Sequence, residues 1–382
     1  MQITKVKVDD LYGLHHYEIE FDVKACIKII HAPNGYGKTT LLKLIDYVMY
    51  YRLEEILNIP FRKFEITFGE DLVLQVVKQG NDDCEQLEYI ILEAHQKSNY
   101  QCILDKYKRE VLVEKDLMSK LETIREQMPI HLIKANRLLA EDVGEKTMPA
   151  VLRYAKELSE QMKDVLARSA KLHEELDCHF PNALLQISHE GIESNTTYQE
   201  IQLELEAIDE KRKALEKLGL LTVTHRERVI LTETTPKHIL RTLELYIVDS
   251  KKKLAVFDEL SARMALMQEL IDKRFTYKKM CLSQQEGFMF EVPYNGKLHA
   301  DKLSSGEQNE LILIFELLFK ASQNALILID EPEISLHIAW QQSFLEDMEK
   351  IAALTGVKLI IATHSPDIIN GRWDLTTGLE EC

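Results

Sequence analysis

The sequence predicts an α/β protein in which a mixed sheet flanked by helices is interrupted by an inserted helical or short coiled-coil arm. Three observations carry that expectation. The run Ala325-Leu326-Ile327-Leu328-Ile329 is continuously apolar, as a parallel strand buried on both faces would be. A glycine loop, Asn34-Gly35-Tyr36-Gly37-Lys38-Thr39-Thr40, stands between the β-branched run Cys26–Ile30 and the apolar helix start Leu41–Ile45. Between residues 146 and 278, apolar residues recur at helical spacing instead.

The strand, glycine loop and helix supply the context that a phosphate-binding loop requires. Glycines let successive backbone N–H groups turn inward on the phosphates, and the following helix points its positive end at them. Lys38 is a point charge for the β- and γ-phosphates, and the Thr39 hydroxyl is placed for Mg²⁺. Asn34, Gly35, Tyr36, Gly37 and Thr40 complete the cradle. Ala32 stands where such loops carry their first glycine, a substitution that costs strain if φ is positive there. The competing reading is a surface turn beside a helix.

Asp330 falls at the C-terminal end of the buried strand, where open α/β sheets bind ligands, and is expected to hold Mg²⁺. Glu331 is the expected general base, taking a proton from the attacking water. Phosphoryl transfer to water needs mainly positioning and charge neutralisation, so one metal, one lysine and one carboxylate suffice.

Ser304-Ser305-Gly306-Glu307 precedes Gln308–Phe315, a stretch of helix formers without a breaker. A serine cap with an acid in the first turn marks a helix start, and free N–H groups there form an anion site. One phosphate is already served by the Lys38 loop. The second site therefore fits the nucleotide of another subunit, with a capped helix without ligand as the alternative. One helix, a turn and a strand separate Gly306 from Asp330.

With Ala362-Thr363-His364-Ser365 closing the series, the four motifs and their order resemble an ABC-type ATPase of the SMC/RecF/OLD-like branch. Within it the chain looks like a small bacterial AAA/ABC ATPase of the anti-phage defence type, without a fused nuclease domain. The resemblance implies a P-loop ATPase head binding ATP and Mg²⁺. It implies a head-to-head dimer, or a higher even-numbered homo-oligomer, in which Ser304, Ser305, Gly306 and Glu307 reach the partner's nucleotide. Ser335 would then lie in the loop that follows the acid pair, and His364 would sense the γ-phosphate. The family's glutamine ligand to Mg²⁺ has its nearest counterpart in Asn136, after the strand-like His131–Ile133. A separate nuclease or toxin effector and DNA are the implied partners. A RecF-like repair ATPase is the rival reading, and a transporter cassette the more distant one.

The chain has 382 residues, 45% hydrophobic and 29% charged, which is ordinary for a soluble protein of two lobes. No apolar run approaches a membrane span, and Met1–Lys5 does not open a signal peptide. Six scattered cysteines without a CxxC fit a reducing cytoplasm and no structural zinc. A net charge of −16 argues against a surface that wraps DNA over long stretches. The dense basic clusters, Lys251–Lys253 and Lys273-Arg274 with Lys278-Lys279, read as solvated helical faces.

Along the chain, residues 1–145 are expected to form the first half of the head, 146–278 the arm and 279–382 the second half. Strands are expected at Ile3–Val8, Tyr17–Phe21, Glu88–Leu92 and Phe288–Val292, and a hairpin joins Phe64–Phe68 to Leu72–Val77 across Gly69. In the arm's first helix, Val151, Ala155, Leu158, Met162, Val165, Leu172 and Leu176 form a heptad seam broken only by Ser169, ending at Pro181 after about 40 Å. A second helix near Tyr198–Leu218 closes at Gly219, and a third follows Pro236. No appended nuclease domain is expected.

Overall fold

The computed structural model describes residues 1–22, 25–81, 84–93, 96–105, 115–134, 148–189, 196–224, 229–293, 296–334 and 336–379. Its strands are β1 (Ile3–Leu11), β2 (His15–Glu20), β3 (Ile27–His31), β4 (Lys63–Phe68), β5 (Leu72–Asn81), β6 (Cys84–Glu93), β7 (Gln96–Asp105), β8 (Ile130–Ile133), β9 (Lys279–Ser283), β10 (Gly287–Val292), β11 (Gly296–Leu298), β12 (Leu326–Asp330), β13 (Lys358–Thr363) and β14 (Thr376–Gly378). Its helices are α1 (Lys38–Met49), α2 (Leu53–Leu57), α3 (Lys115–Gln127), α4 (Ala150–His189), α5 (Tyr198–Lys217), α6 (Lys237–Ala255), α7 (Asp258–Arg274), α8 (Ser305–Phe315), α9 (Ile338–Thr355) and α10 (Pro366–Ile369). The chain divides into two compact units, Met1–Leu139 with Ile312–Cys382, and Ala140–Leu311.

The first unit is α/β and holds two sheets. One is antiparallel, in the order β2-β1-β4-β5-β6-β7, and the other is β14-β3-β13-β12-β8, all parallel. The hairpin across Gly69 is present, but the antiparallel sheet extends two long strands beyond it. Helix α1 buries Leu41, Leu42, Leu44, Ile45, Val48 and Met49, more than a single face can carry. A helix apolar on most sides must be enclosed. Its residues share one core with Val8 and Phe64 of the antiparallel sheet and with Leu328 and Ala362 of the parallel one. Strand β12 is buried at all five positions, as its unbroken apolar run requires.

The second unit is mainly helical, with the antiparallel sheet β11-β10-β9. Strands β9 to β11 and the start of α8, which the sequence suggests belong with the second half of the head, group with the inserted helices. The heptad seam is real but is a packing face: α4 lies on β10 and on α6. Val151, Ala155, Leu158, Met162 and Val165 are buried, and the seam becomes half-exposed from Leu172 onward. Helix α4 does not stop at Pro181; it continues to His189, about 60 Å in all. Proline removes one N–H and leaves the carbonyl of Asp177 without its helical donor, but Asp177 is exposed and water can serve that carbonyl. Helix α5 begins with the capping box Thr197–Glu200 and ends at Gly219, at φ 71°. The third helix of the arm is broken at Val256-Phe257 into α6 and α7.

A close approach fixes α4 against the β9–β10 turn. Gly287 has φ 71°, and a Cβ there would lie 1.8 Å from the carbonyl oxygen of Ala155. Ser159 Oγ donates to the Gln284 carbonyl at 2.7 Å beside it. Gly287→Ala must therefore displace backbone as well as strain its own φ. The expected cost is about 3 kcal/mol or more of unfolding free energy in denaturant titration, among the largest that single substitutions produce. A loss under about 0.5 kcal/mol would mean that the contact does not exist in solution.

Candidate functional site

Parallel pairing brings three strand ends together. Thr363 of β13 is in register with His31 of β3, and Asp330 of β12 with Ala362 of β13. The glycine loop leaves β3, the acid pair leaves β12 and His364 leaves β13, all at the carboxyl edge of one sheet, where such sheets bind ligands.

The loop has the backbone that its glycines allow. Gly35 and Gly37 lie at φ 92° and 78°, and Gly37 begins α1 without any side-chain cap. A Cβ on Gly37 would meet Leu11 Cδ2 at 2.9 Å. Ala32 is not in the left-handed region, so replacing glycine there carries no strain. Asn34, Gly35 and Tyr36 are exposed. Lys38 is buried, its Nζ donating to the carbonyls of Ala32 at 2.7 Å and Pro33 at 3.0 Å. Burial pushes its ammonium pKa down, and the carboxylates of Glu331, Glu333 and Asp330 oppose that.

Thr39 Oγ1 donates to Asp330 Oδ1 at 2.9 Å. Burial raises the Asp330 pKa, with the Thr39 hydrogen bond working against it and the Glu331 charge adding to it. Three carboxylates outnumber the ammonium groups of Lys38 and Lys43 beside them and leave the pocket net negative, and its donors are hard oxygens. That set suits Mg²⁺, which takes one or two carboxylates and completes its shell with water and substrate phosphate. No group of three or more His, Cys, Asp or Glu that could hold a metal ion occurs among the described residues.

Glu331 is held at φ 43°, a conformation that costs a non-glycine residue about 1 kcal/mol. Its N–H donates to the Ala362 carbonyl at 2.9 Å, tying the turn to β13. His364 Nδ1 lies 3.7 Å from Glu331 Oε1 and 3.0 Å from Glu333 Oε1.

Sequence reasoning left several residues of this edge unassigned. Glu333, to which the sequence gives no role, is buried and accepts from Thr363 Oγ1 and the His364 N–H. The third acid of Asp-Glu-Pro-Glu was the available signal; what it lacked was a visible partner. Tyr12 and His15 come from the β1–β2 turn. The Tyr12 hydroxyl is 3.0 Å from Thr40 Oγ1, and the His15 ring stacks on Tyr36 at 5.7 Å between centroids. A bulge in β1 between Val8 and Leu11, with Asp10 and Tyr12 at positive φ, aims that turn.

In the other unit, Ser304 and Glu307 close a capping box: Glu307 Oε2 accepts from the Ser304 N–H and Oγ, both at 2.9 Å. Glu307 also pairs with Lys278 at 2.5 Å, so its carboxylate serves the helix start. Ser304 and Ser305 are exposed. Arg274, at the end of α7, and Glu310 of α8 form a buried ion pair. Lys251 and Lys253 pair with Glu204 and Asp177, and Lys252 faces Asp249. Asn136 and Ser335 lie outside the described residues.

The AAA ATPase domain family model matches residues 1–369. The chain belongs to that family. This AAA-domain protein is an ATPase, and its mixed α/β fold carries the helical insertion expected from the sequence. Solved structures similar to it include the SMC head domain from Thermotoga maritima, with 11% identity over 99% of this chain and 94% of that one and a TM-score of 0.38. Another is an SmcHead bound to the C-winged helix domain of ScpA, with 12% identity over the same shares and a TM-score of 0.41. Likeness at that level carries no argument about function. No curated protein matches the chain. No helix among the described residues is long and apolar enough to cross a membrane.

The raised pKa of Asp330 has a sign that can be measured. A carboxylate raised above its ordinary value favours folding below that ordinary value and loses this contribution as pH rises through the raised one. At neutral pH the ionised Asp330 therefore works against the nucleotide-free fold. Asp330→Asn, which keeps an oxygen for Thr39, is expected to raise the melting midpoint at pH 7.5 by roughly 1–3 °C. The gain should narrow towards pH 5. A lower midpoint for the variant at pH 7.5 contradicts the burial effect.

Proposed function

We propose that this ATPase works as two copies closed head to head around two ATP molecules, each copy completing the other's site. Lys38 and the backbone N–H groups of Asn34 to Gly37 hold the β- and γ-phosphates, with Tyr36 and Thr40 at the rim. Thr39 and Asp330 would hold Mg²⁺, which supplies neutralisation of phosphate charge. Glu331 is the general base for the attacking water, and His364 contacts the γ-phosphate. The observation that carries this reading is the convergence of Lys38, Thr39, Asp330, Glu331 and His364 on adjacent ends of β3, β12 and β13.

Ser304, Ser305 and Gly306 complete the partner's site through the free N–H groups of α8. Two observations support a shared site. The serines are exposed although their helix start is already capped within the chain. Beside the acid pair, Ile334 and Ile338 are 44% and 62% exposed, apolar surface that a second copy would cover. We place this cytoplasmic dimer in a DNA-associated anti-phage complex whose effector is a separate nuclease or toxin, on the strength of the resemblance in the four motifs.

Lys38→Ala is expected to abolish ATP binding in calorimetric titration; retained affinity removes the phosphate-loop assignment. Glu331→Gln should keep binding, slow hydrolysis by about a hundredfold or more, and accumulate an ATP-dependent dimer in light scattering. Turnover near that of the unaltered protein removes Glu331 from the chemistry. The trapped variant should also co-purify an effector from its native host, and replication proteins in its place would favour repair.

A further inference from the structure

The carboxylate of Glu333 has no assigned task, yet it is the most densely engaged acid at the carboxyl edge. Its side chain is 7% exposed. One oxygen, Oε1, faces three groups: Thr363 Oγ1 at 2.7 Å, the His364 N–H at 3.0 Å and His364 Nδ1 at 3.0 Å. The His364 N–H can only donate. Thr363 must donate as well, because its Oγ1 already accepts from the Ser365 N–H at 3.0 Å and Oε1 belongs to an acceptor. An acceptor so committed cannot sit 3.0 Å from a second lone pair, so Nδ1 must carry a hydrogen. Glu331 Oε1, 3.7 Å from the same nitrogen, favours the same assignment. The ring is 42% exposed, and these two carboxylates are the groups its Nδ1 faces among the described residues.

We infer that Glu333 is a positioning residue for hydrolysis: it locks His364 with Nδ1 protonated and turns Nε2 towards the nucleotide. This rests on the reading of His364 as the γ-phosphate contact and adds a cause for its orientation. With Nδ1–H engaged by the carboxylate, Nε2 is the ring nitrogen left to face the γ-phosphate. The arrangement is that of a carboxylate that orients a histidine and fixes which ring nitrogen it presents.

The same acid joins two loops. Ser365 Oγ donates to Gln341 Oε1 at 2.9 Å, and Gln341 Nε2 donates to the Leu336 carbonyl at 3.1 Å. Glu333 and Gln341 thereby hold the histidine loop and the segment after the acid pair together. The other Glu333 oxygen, Oε2, is buried with no hydrogen-bond partner among the described residues. Such a burden is destabilising unless it serves the site.

The test compares Glu333→Gln, Glu333→Ala and His364→Ala in the full chain. Glu333→Ala is expected to lower kcat about tenfold to a hundredfold, the usual effect of losing a partner that orients a functional histidine, with the KM for ATP within about twofold. Glu333→Gln, which can still accept from Thr363 and the His364 N–H but lacks the charge, should recover only part of that loss. ¹⁵N spectra of histidine-labelled unaltered protein should show His364 as the Nδ1–H form, its resonances assigned by their loss in His364→Ala. An Nε2–H tautomer, or Glu333→Ala turnover equal to that of the unaltered protein while His364→Ala is inactive, overturns the inference and leaves the ATPase site standing. Full turnover in His364→Ala overturns both.

Discussion

Everything at the candidate site depends on the parallel ladder that sets β3, β13 and β12 side by side in one register. The loop, the acid pair and the histidine are far apart in the chain. Each is placed only because its strand ends level with its neighbours. The ladder in turn depends on burial: β12 is buried at every position, apolar up to Asp330 at its end, and α1 buries six apolar side chains, so both are confined between two layers of apolar side chains. Because side chains on a strand alternate with a period of two, a slip of one residue would carry Asp330 to the other face of the sheet and break its hydrogen bond with Thr39. Placement of the chemistry and packing of the core are the same event.

The pocket that results holds several groups at a cost. A buried ammonium donates to loop carbonyls, a buried carboxylate leans on a threonine, a glutamate holds a left-handed backbone, and another leaves one oxygen without a partner. Each imposes a modest cost, and strain of this kind concentrates where function demands it. Bound phosphate would take over the lysine, and a divalent ion the excess negative charge.

The head's centre was legible in the sequence because its signals are local. Asn34–Thr40 needs particular residues at fixed spacing, and Ala325–Ile329 can hardly be anything but an enclosed strand. A helix start was equally readable at Ser304, where an acid three residues on returns the cap's hydrogen bond. What remained hidden was non-local. The antiparallel sheet's outer strands alternate weakly, so β7 left no clear mark. Pro181 gave the correct local penalty, but the exposure that makes it tolerable belongs to the folded chain. The seam on α4 announced a packing face without naming β10 as its occupant. Glu333 stood in plain view, but its meaning depends on Thr363 and His364, which only folding brings near.

The carbonyl of Ala155 occupies the space where any residue but glycine would keep its β-carbon at position 287. Backbone therefore rests on backbone, with no side chain between to act as a cushion. A push arriving along α4 cannot be absorbed there by a rotamer change, and the neighbouring Ser159 bond resists sliding. Helix and hairpin must travel as a single lever, so whatever displaces the one displaces the other by the same amount.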